Sequence, residues 1–593
     1  MAPSTGAELI ALSLRNLGVT TLFGIVGIPV VEIADAAIAL GIRFIGFRNE
    51  QAASYAGTAY GYLTGKPGVC LVVGGPGVLH AVAGIGNAQA NHWPLLLLAG
   101  SSETYLVGKG AFQELDAVSV LYKHVKSVAR PPTLAAVPDT LEAAYKNASY
   151  GRPGAAFVDL PADSIKKAVE HGRDLKTLAP LPSVLQGGAD EASLLKIGQM
   201  IKNAKAPLVV IGKGAAYARA EIVIRELIDK VNLPFLPTPM GKGVMSDAHP
   251  RNAASARSTA LQEADVVLIL GARLNWILHF GEPPKWNPKA RFIQVDISAE
   301  EIGRNADNTE LGIVGDINVV VPQLCKVLDN WSYDSKSSIY IEHLSVARTK
   351  NEAKAAHKAS TSRLPMSFDN AFSVIERTLR RLSPPDEGGV VYVSEGANTM
   401  DISRSIFPVS QPRLRLDAGT YATMGVGLGY AIAAHAAYNG SAGEASSGPA
   451  LRKKIVCFEG DSAFGFSAME VETMARYGMD VLIFVMNNGG IYHGDSDGAE
   501  EWLEMRRRTQ QGDSGAGLRS TSLGWEVGYE RIAEGCGGIG LLVRTPEELE
   551  QATERGFKES RVTVINVMVE SGKGQSLEFG WQASGDRSRS SKL

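Results

Sequence analysis

Residues 459–492 read EGDSAFGFSAMEVETMARYGMDVLIFVMNNGGIY, and two polar side chains there, Asp461 and Asn488, lie 27 positions apart. One apolar run, KIVCFEGD, stops at Gly460-Asp461, and a second, VLIFVMNN, stops at Asn488, with a helical pattern between them. In a strand–helix–strand unit both parallel strands end on the same edge of the sheet, so this spacing predicts that the two side chains meet. One carboxylate and one amide oxygen suit a hard divalent cation, Mg²⁺ first among them. Gly489 and Gly490 would let a carbonyl turn toward the metal and let a phosphate approach the backbone. Such a cation keeps waters or phosphate oxygens as its other ligands, so the pattern implies a diphosphate. Either residue alone would read as a helix cap or a turn.

The elements that must hold these groups recur along the chain. TTLFGIVG, FIGFR, VCLVVGGPG, PLLLLAG and AAFVDLPAD read as strands with helices between them. APLVVIGKGA, LPFLPTP, DVVLILGARL and ARFIQVDIS form a second set, and GVVYVSEG, KKIVCFEGD, VLIFVMNN and VTVINVMV a third. Continuous apolar strands alternating with helices predict parallel sheets covered on both faces. The expected fold class is α/β, with three doubly wound parallel-sheet domains. Their expected spans are 1–185, 192–335 and 365–570, with a tail at 571–593. Stretch 166–192 reads as a linker, 330–366 as a polar, helix-prone second linker, 438–450 as a flexible surface loop, and 495–522 as a polar segment able to serve as a lid.

Length and composition agree with this. A chain of 593 residues accommodates about three or four domains. Apolar residues make up 45% and charged residues 20%, as in globular proteins. Lys plus Arg number 59 and Asp plus Glu 62, a net charge of -3 that calls for neither nucleic acid nor an anionic membrane. The 4 cysteines are scattered without CxxC spacing, which fits a reducing compartment. No apolar run is long enough to span a bilayer, and the N-terminus has no secretory pattern. The last residues, Ser591-Lys592-Leu593, match a peroxisomal import signal and predict the peroxisome matrix, with the import receptor as a partner.

The G-D-S…N-N pattern resembles the diphosphate signature of the thiamine diphosphate-dependent enzymes, and the likeness covers nearly the whole chain. The resemblance implies that Asp461, Asn488 and the Gly490 carbonyl hold Mg²⁺ against the diphosphate. Gly460, Ser462, Ala463 and Ile491 would line the cofactor, with Ser462 and Ala463 offering backbone N–H groups. In FIGFRNEQAASYAGTAYGYL, Glu50 follows a strand and opens a helix, as does the family's glutamate at N1′ of the aminopyrimidine. Its carboxyl would move the proton that activates the cofactor, lent across a dimer interface. In GTYATMGVGLGYAIAA, Met424 matches the residue that wedges the cofactor into its bent form. The carbonyl of Ala422 would accept from the 4′-amino group, although Gly is common there.

Within the family, GDSAFGFSAMEVETMARY, NNGGIY, GKGAAYA, GARLNW and QVDIS are most similar to the branch of 2-hydroxyacyl-CoA lyase and oxalyl-CoA decarboxylase. Both activities release formyl-CoA, one beside an aldehyde and the other beside CO₂. His80, Phe112-Gln113 and the C-terminal ESGKGQSLEFGW look lyase-like. The resemblance implies cleavage of a 2-hydroxyacyl-CoA in fatty-acid α-oxidation, with His80 or Gln113 orienting the substrate hydroxyl. Tyr492 and Ser571 resemble further active-site residues. Arg404, Arg413 and Lys573 are candidates for CoA phosphates. Arg152, Lys213, Arg273 and Asp296 match positions where relatives bind ADP. Family geometry implies a dimer at least and a tetramer by expectation. Oxalyl-CoA decarboxylase, an FAD-containing carboligase of the acetolactate synthase type, and a non-catalytic binding protein are the alternatives.

Overall fold

The computed structural model describes residues 3–169, 176–306, 309–361, 363–440, 452–513 and 515–574. Of the surface loop expected at 438–450, Tyr438 and Asn439 instead end the helix Gly427–Asn439, with Tyr438 buried, while 441–450, the Phe579-to-Trp581 pattern and the Ser591-Lys592-Leu593 ending lie outside the described residues. Seventeen described strands form three sheets, all of parallel pairs.

The first sheet holds β1 (Thr21–Gly24), β2 (Arg43–Gly46), β3 (Gly68–Val72), β4 (Leu95–Ser101), β5 (Ser127–Ala129) and β6 (Ala155–Pro161), in the order β2-β1-β3-β4-β6-β5. The second holds β7 (Pro207–Ile211), β8 (Phe235–Pro237), β9 (Val266–Leu270), β10 (Arg291–Asp296) and β11 (Gly312–Val314), in the order β11-β10-β9-β7-β8. The third holds β12 (Val390–Ser394), β13 (Arg415–Asp417), β14 (Lys454–Gly460), β15 (Leu482–Asn487), β16 (Ile539–Val543) and β17 (Thr563–Met568), in the order β13-β12-β14-β15-β17-β16. The first and third sheets therefore share one topology, and all three reverse direction beside their first strand. In such sheets ligands bind beyond the strand C-termini at that reversal, here between β12 and β14.

The central strands are buried along their length, as their unbroken Val, Ile and Leu runs require. Short edge strands β5, β11, β13 and β16 were not legible as strands in the sequence, because their apolar pattern is brief. The linker expected at 330–366 contains a 22-residue helix, Ile339–Ser360, capped by Ser338. It packs on the central domain through Tyr340 and Leu344, with Ile341 and Ala347 partly buried beside them, and its later turns are mostly polar. The candidate lid contains the helix Ala499–Gln510 with no buried residue.

The first and third domains meet through two helices. Glu50–Thr64 is Ala-rich and buried along most of its length, and it lies against Gly427–Asn439. A Cβ at Gly429 would stand 2.7 Å from the Ala52 carbonyl, so the close crossing depends on a residue without a side chain. No helix among the described residues is long and apolar enough to cross a membrane.

Candidate active site

Asp461 begins the helix Asp461–Ser467 directly after β14, and Asn488 follows β15. Register places Gly460 opposite Met486, and the Asp461 carboxylate accepts N–H groups from Ser462 at 2.7 Å and from Gly489 at 2.8 Å. The expected meeting of the two strand ends is thus present. Burial pushes Asp461 up to about 6, against the pull of those N–H donors. A carboxylate short of positive charge is what a cation relieves. Asn488 donates from Nδ2 to the Tyr492 carbonyl at 2.9 Å, and its Oδ1 meets the Gly490 N–H at 3.3 Å. Among the described residues no group of three or more His, Cys, Asp or Glu side chains is placed for a metal. A cation here would rest on one carboxylate, one amide oxygen and a backbone carbonyl, an all-oxygen set that fits Mg²⁺.

The neighbouring turn is held from three sides. Ile491 donates its N–H to the Thr521 carbonyl at 2.8 Å. Tyr492, at φ 67, offers its carbonyl to Asn398 at 2.9 Å as well as to Asn488. Ser571 accepts the Gly494 N–H at 2.7 Å through its carbonyl and donates from Oγ to Asp497 at 2.5 Å. Residues 571–573 therefore lie directly beside the turn that follows Asn488, and Lys573 is paired with Glu501 at 2.5 Å.

Glu50 is the first residue of its helix, after the cap Asn49, and its carboxylate lies 3.0 Å from His80 Nδ1. His80 stands near the start of the helix Pro76–Asn91 with its side chain 62% exposed. Gln113, at φ 54, lies against the same turn, its carbonyl 2.6 Å from where a Gly75 Cβ would be. Glu50, His80 and Gln113 therefore share one corner of the first domain. Glu470 accepts the N–H groups of Arg48 and Asn49, each at 3.1 Å, and so pins the entrance to the Glu50 helix onto the third domain.

The loop carrying Ala422 (φ 54) and Met424 is tied at both ends. Thr420 donates its N–H to Asn91 at 2.8 Å and accepts from Trp276 at 2.8 Å, and Thr423 donates to Asn87 at 3.2 Å. On the far side, Gly425 and Gly427 donate their N–H groups to the buried Glu395 carboxyl. Glu459 is buried beside it, and burial holds both carboxyls above the usual range.

Arg152, Lys213, Arg273 and Asp296 all line one cavity of about 1060 Å³ between the central domain and its neighbours. Lys213 donates to Asn91 at 2.5 Å and Thr420 at 2.8 Å, and burial drives its pKa well below the ordinary value. Asp296 is raised by burial and accepts the Ser298 N–H at 2.9 Å. The sequence reading missed His92 and Trp93, whose buried Nε2 and Nε1 have no protein partner and line the same cavity.

The arginines proposed for CoA divide. Arg404 is paired with Asp401 at 2.6 Å and Asp417 at 3.0 Å. Arg413 corrects its expectation: it is 8% exposed and bound to Glu221 at 2.9 Å and to the Ala216 carbonyl at 2.6 Å. It ties the central domain to the third and offers no open face to a phosphate.

Residues 4–120, 194–324 and 395–567 match, in that order, the N-terminal TPP binding domain, the central domain and the C-terminal TPP binding domain of the thiamine pyrophosphate enzymes. The chain belongs to that family. It is 45% identical to human 2-hydroxyacyl-CoA lyase 1 over 97% of this chain and 96% of the relative. Identity to the 2-hydroxyacyl-CoA lyase of Arabidopsis thaliana is 41%, over 95% of each chain. Oxalyl-CoA decarboxylase of Escherichia coli K12 is 36% identical, over 96% of this chain and 95% of its own. In this thiamine pyrophosphate enzyme the first and third sheets thus fall within the stretches that match the TPP binding domains, and the second within the stretch that matches the central domain.

Proposed function

We propose that this chain cleaves a 2-hydroxyacyl-CoA into formyl-CoA and an aldehyde, using thiamine diphosphate and Mg²⁺. The observation that carries this reading is the 3.0 Å contact of His80 with Glu50, in a chain whose relatives include lyases of that name from human and plant. When bound, thiamine diphosphate supplies a thiazolium ring able to hold the electron pair released when a bond beside a carbonyl breaks.

The chain's own groups do the rest. Asp461, Asn488 and the Gly490 carbonyl hold the Mg²⁺, and Gly460, Ser462, Ala463 and Ile491 line the diphosphate. Glu50 holds or releases a proton at N1′ of the aminopyrimidine, while Ala422 accepts from the 4′-amino group and Met424 supports the ring. His80 is engaged with Glu50 through Nδ1, which leaves Nε2 as the edge that can take the proton of the substrate 2-hydroxyl, with Gln113 beside it. Tyr492 and Ser571 would border the acyl-CoA, and Lys573 and Arg404 remain candidates for its phosphates although Glu501 holds the first and Asp401 and Asp417 the second. Arg152, Lys213, Arg273 and Asp296 suit an ADP-like nucleotide: two guanidinium groups and an amine for phosphates and a carboxylate for ribose hydroxyls. Two chains would complete each site, as a dimer or tetramer. The Ser591-Lys592-Leu593 tripeptide supports delivery by the import receptor to the peroxisome matrix.

The test is to offer a 2-hydroxyacyl-CoA and oxalyl-CoA side by side to the purified protein with thiamine diphosphate and Mg²⁺. Aldehyde and formyl-CoA from the first substrate are the expected products. CO₂ from oxalyl-CoA with no aldehyde from the hydroxyacyl substrate would overturn the reading in favour of the decarboxylase.

A further inference from the structure

Glu395 is fully buried at the C-terminal end of β12, at the reversal of the third sheet. Its backbone is stitched to β14: its N–H donates to the Phe458 carbonyl at 2.9 Å and its carbonyl accepts from Gly460 at 3.3 Å. Its side chain points the other way along the cofactor loop. One carboxyl oxygen accepts the Gly425 N–H, and the other accepts the Gly427 N–H at 2.5 Å. These are donors at the start of the helix Gly427–Asn439, whose cap residue Val426 has no side-chain acceptor to give them. Glu395 thus caps a helix from a distant strand.

A second buried carboxyl closes the underside of the same turn. A Cβ at Gly427 would collide with Glu459 Oε1 and stand 3.1 Å from Glu395 Oε2. Cys457 donates to Glu459 Oε1 at 3.2 Å, while Glu459 Oε2 has no protein partner. Gly425 sits at φ +85, a conformation that leaves the chain direction after Met424 dependent on what holds the N–H groups.

We propose that Glu395, a residue to which the catalytic scheme gives no part, is the positioning residue for the Ala422–Met424 loop. By gripping Gly425 and Gly427 it sets how far the Met424 side chain reaches toward the cofactor's aminopyrimidine. Glu459 is the floor that keeps position 427 free of a side chain. This inference rests on the proposed placement of the aminopyrimidine over Ala422 and Met424.

The test separates the two ends of the cofactor. Thiamine diphosphate and inorganic pyrophosphate are each titrated, with Mg²⁺, into the apo protein while intrinsic tryptophan fluorescence is followed. Glu395→Gln weakens thiamine diphosphate binding about tenfold or more and leaves pyrophosphate binding unchanged, since pyrophosphate needs only the Asp461 side of the site. Combined with Met424→Ala, Glu395→Gln adds no further loss, because both act through one side chain. Equal weakening of both ligands, or losses that add in the double variant, would overturn the positioning role. If Met424→Ala alone leaves thiamine diphosphate binding intact, the placement of the aminopyrimidine fails and the inference falls with it. Should Glu395→Gln not fold, Glu395→Asp keeps the carboxylate but withdraws it by one methylene. A smaller loss of the same selectivity is then expected, and none would overturn the role.

Discussion

His80 Nδ1 and Glu50 Oε2 stand 3.0 Å apart, joining the starts of two helices whose residues are 30 positions apart in the chain. The contact couples the group proposed to meet the substrate hydroxyl to the group proposed to exchange a proton with the cofactor.

Glu50→Gln keeps the shape of the side chain and removes its ability to take a proton. Formyl-CoA release at saturating cofactor is expected to fall by about 10²-fold or more, in the range of a lost acid–base group. His80→Gln is expected to lower kcat for the hydroxyacyl substrate while leaving cofactor affinity unchanged. Steady-state kinetics beside cofactor titration would check both, and unchanged kcat in Glu50→Gln would remove the proton-transfer role.

Asp461→Asn takes the only charge from the proposed metal ligands. Retention of thiamine diphosphate through gel filtration in the presence of Mg²⁺ is expected to be lost. The parent protein should lose cofactor in the same way when EDTA is added. Cofactor held as firmly by the variant as by the parent would refute the metal assignment.

Arg413 and Glu221 hold the central domain to the third. Removing one partner of so buried a pair leaves the other charge uncompensated, a loss of roughly 3 kcal/mol. Arg413→Ala should therefore lower the melting temperature while the KM for acyl-CoA stays at the parent value. A raised KM with unchanged melting would return Arg413 to the CoA surface.

Burial pushes Glu470 up to about 7 from an ordinary 4.5. Between those pH values the folded chain holds a proton that the unfolded chain releases. The stability this contributes is whole below pH 4.5 and is lost as pH rises through 7. Glu470→Gln lacks that titration, so its stability relative to the parent should rise by on the order of 2 kcal/mol from pH 5 to pH 8. Melting curves of the two proteins at both pH values would show it, and a constant gap would contradict it.

Local pattern made much of this legible. Strands such as β4, β7 and β15 announce themselves as unbroken apolar runs because both faces of a parallel sheet are covered. Asp461 and Asn488 could be paired from the sequence because parallel strands must end on one edge. The helix Ile339–Ser360 lies in a stretch that reads as polar and helix-prone, but its ends were not legible, since so little of its surface meets the core and its apolar stripe is short. Edge strands such as β11 and β16 escaped for a related reason: few residues carry their pattern.

By itself, then, the sequence determined the fold class, through the periodicity of its strands and helices, and brought Asp461 and Asn488 to one sheet edge through a single strand–helix–strand unit, whereas Glu50 was singled out by family resemblance. Only the tertiary structure decided that Arg413 is a domain tie, that His80 touches Glu50, and that Glu395 and Glu459 lie beneath the Gly425–Gly427 turn. Those facts depend on which side chains from separate strands share one buried space. A buried polar group must find its partners wherever the packing leaves them, and no spacing along the chain states where that is.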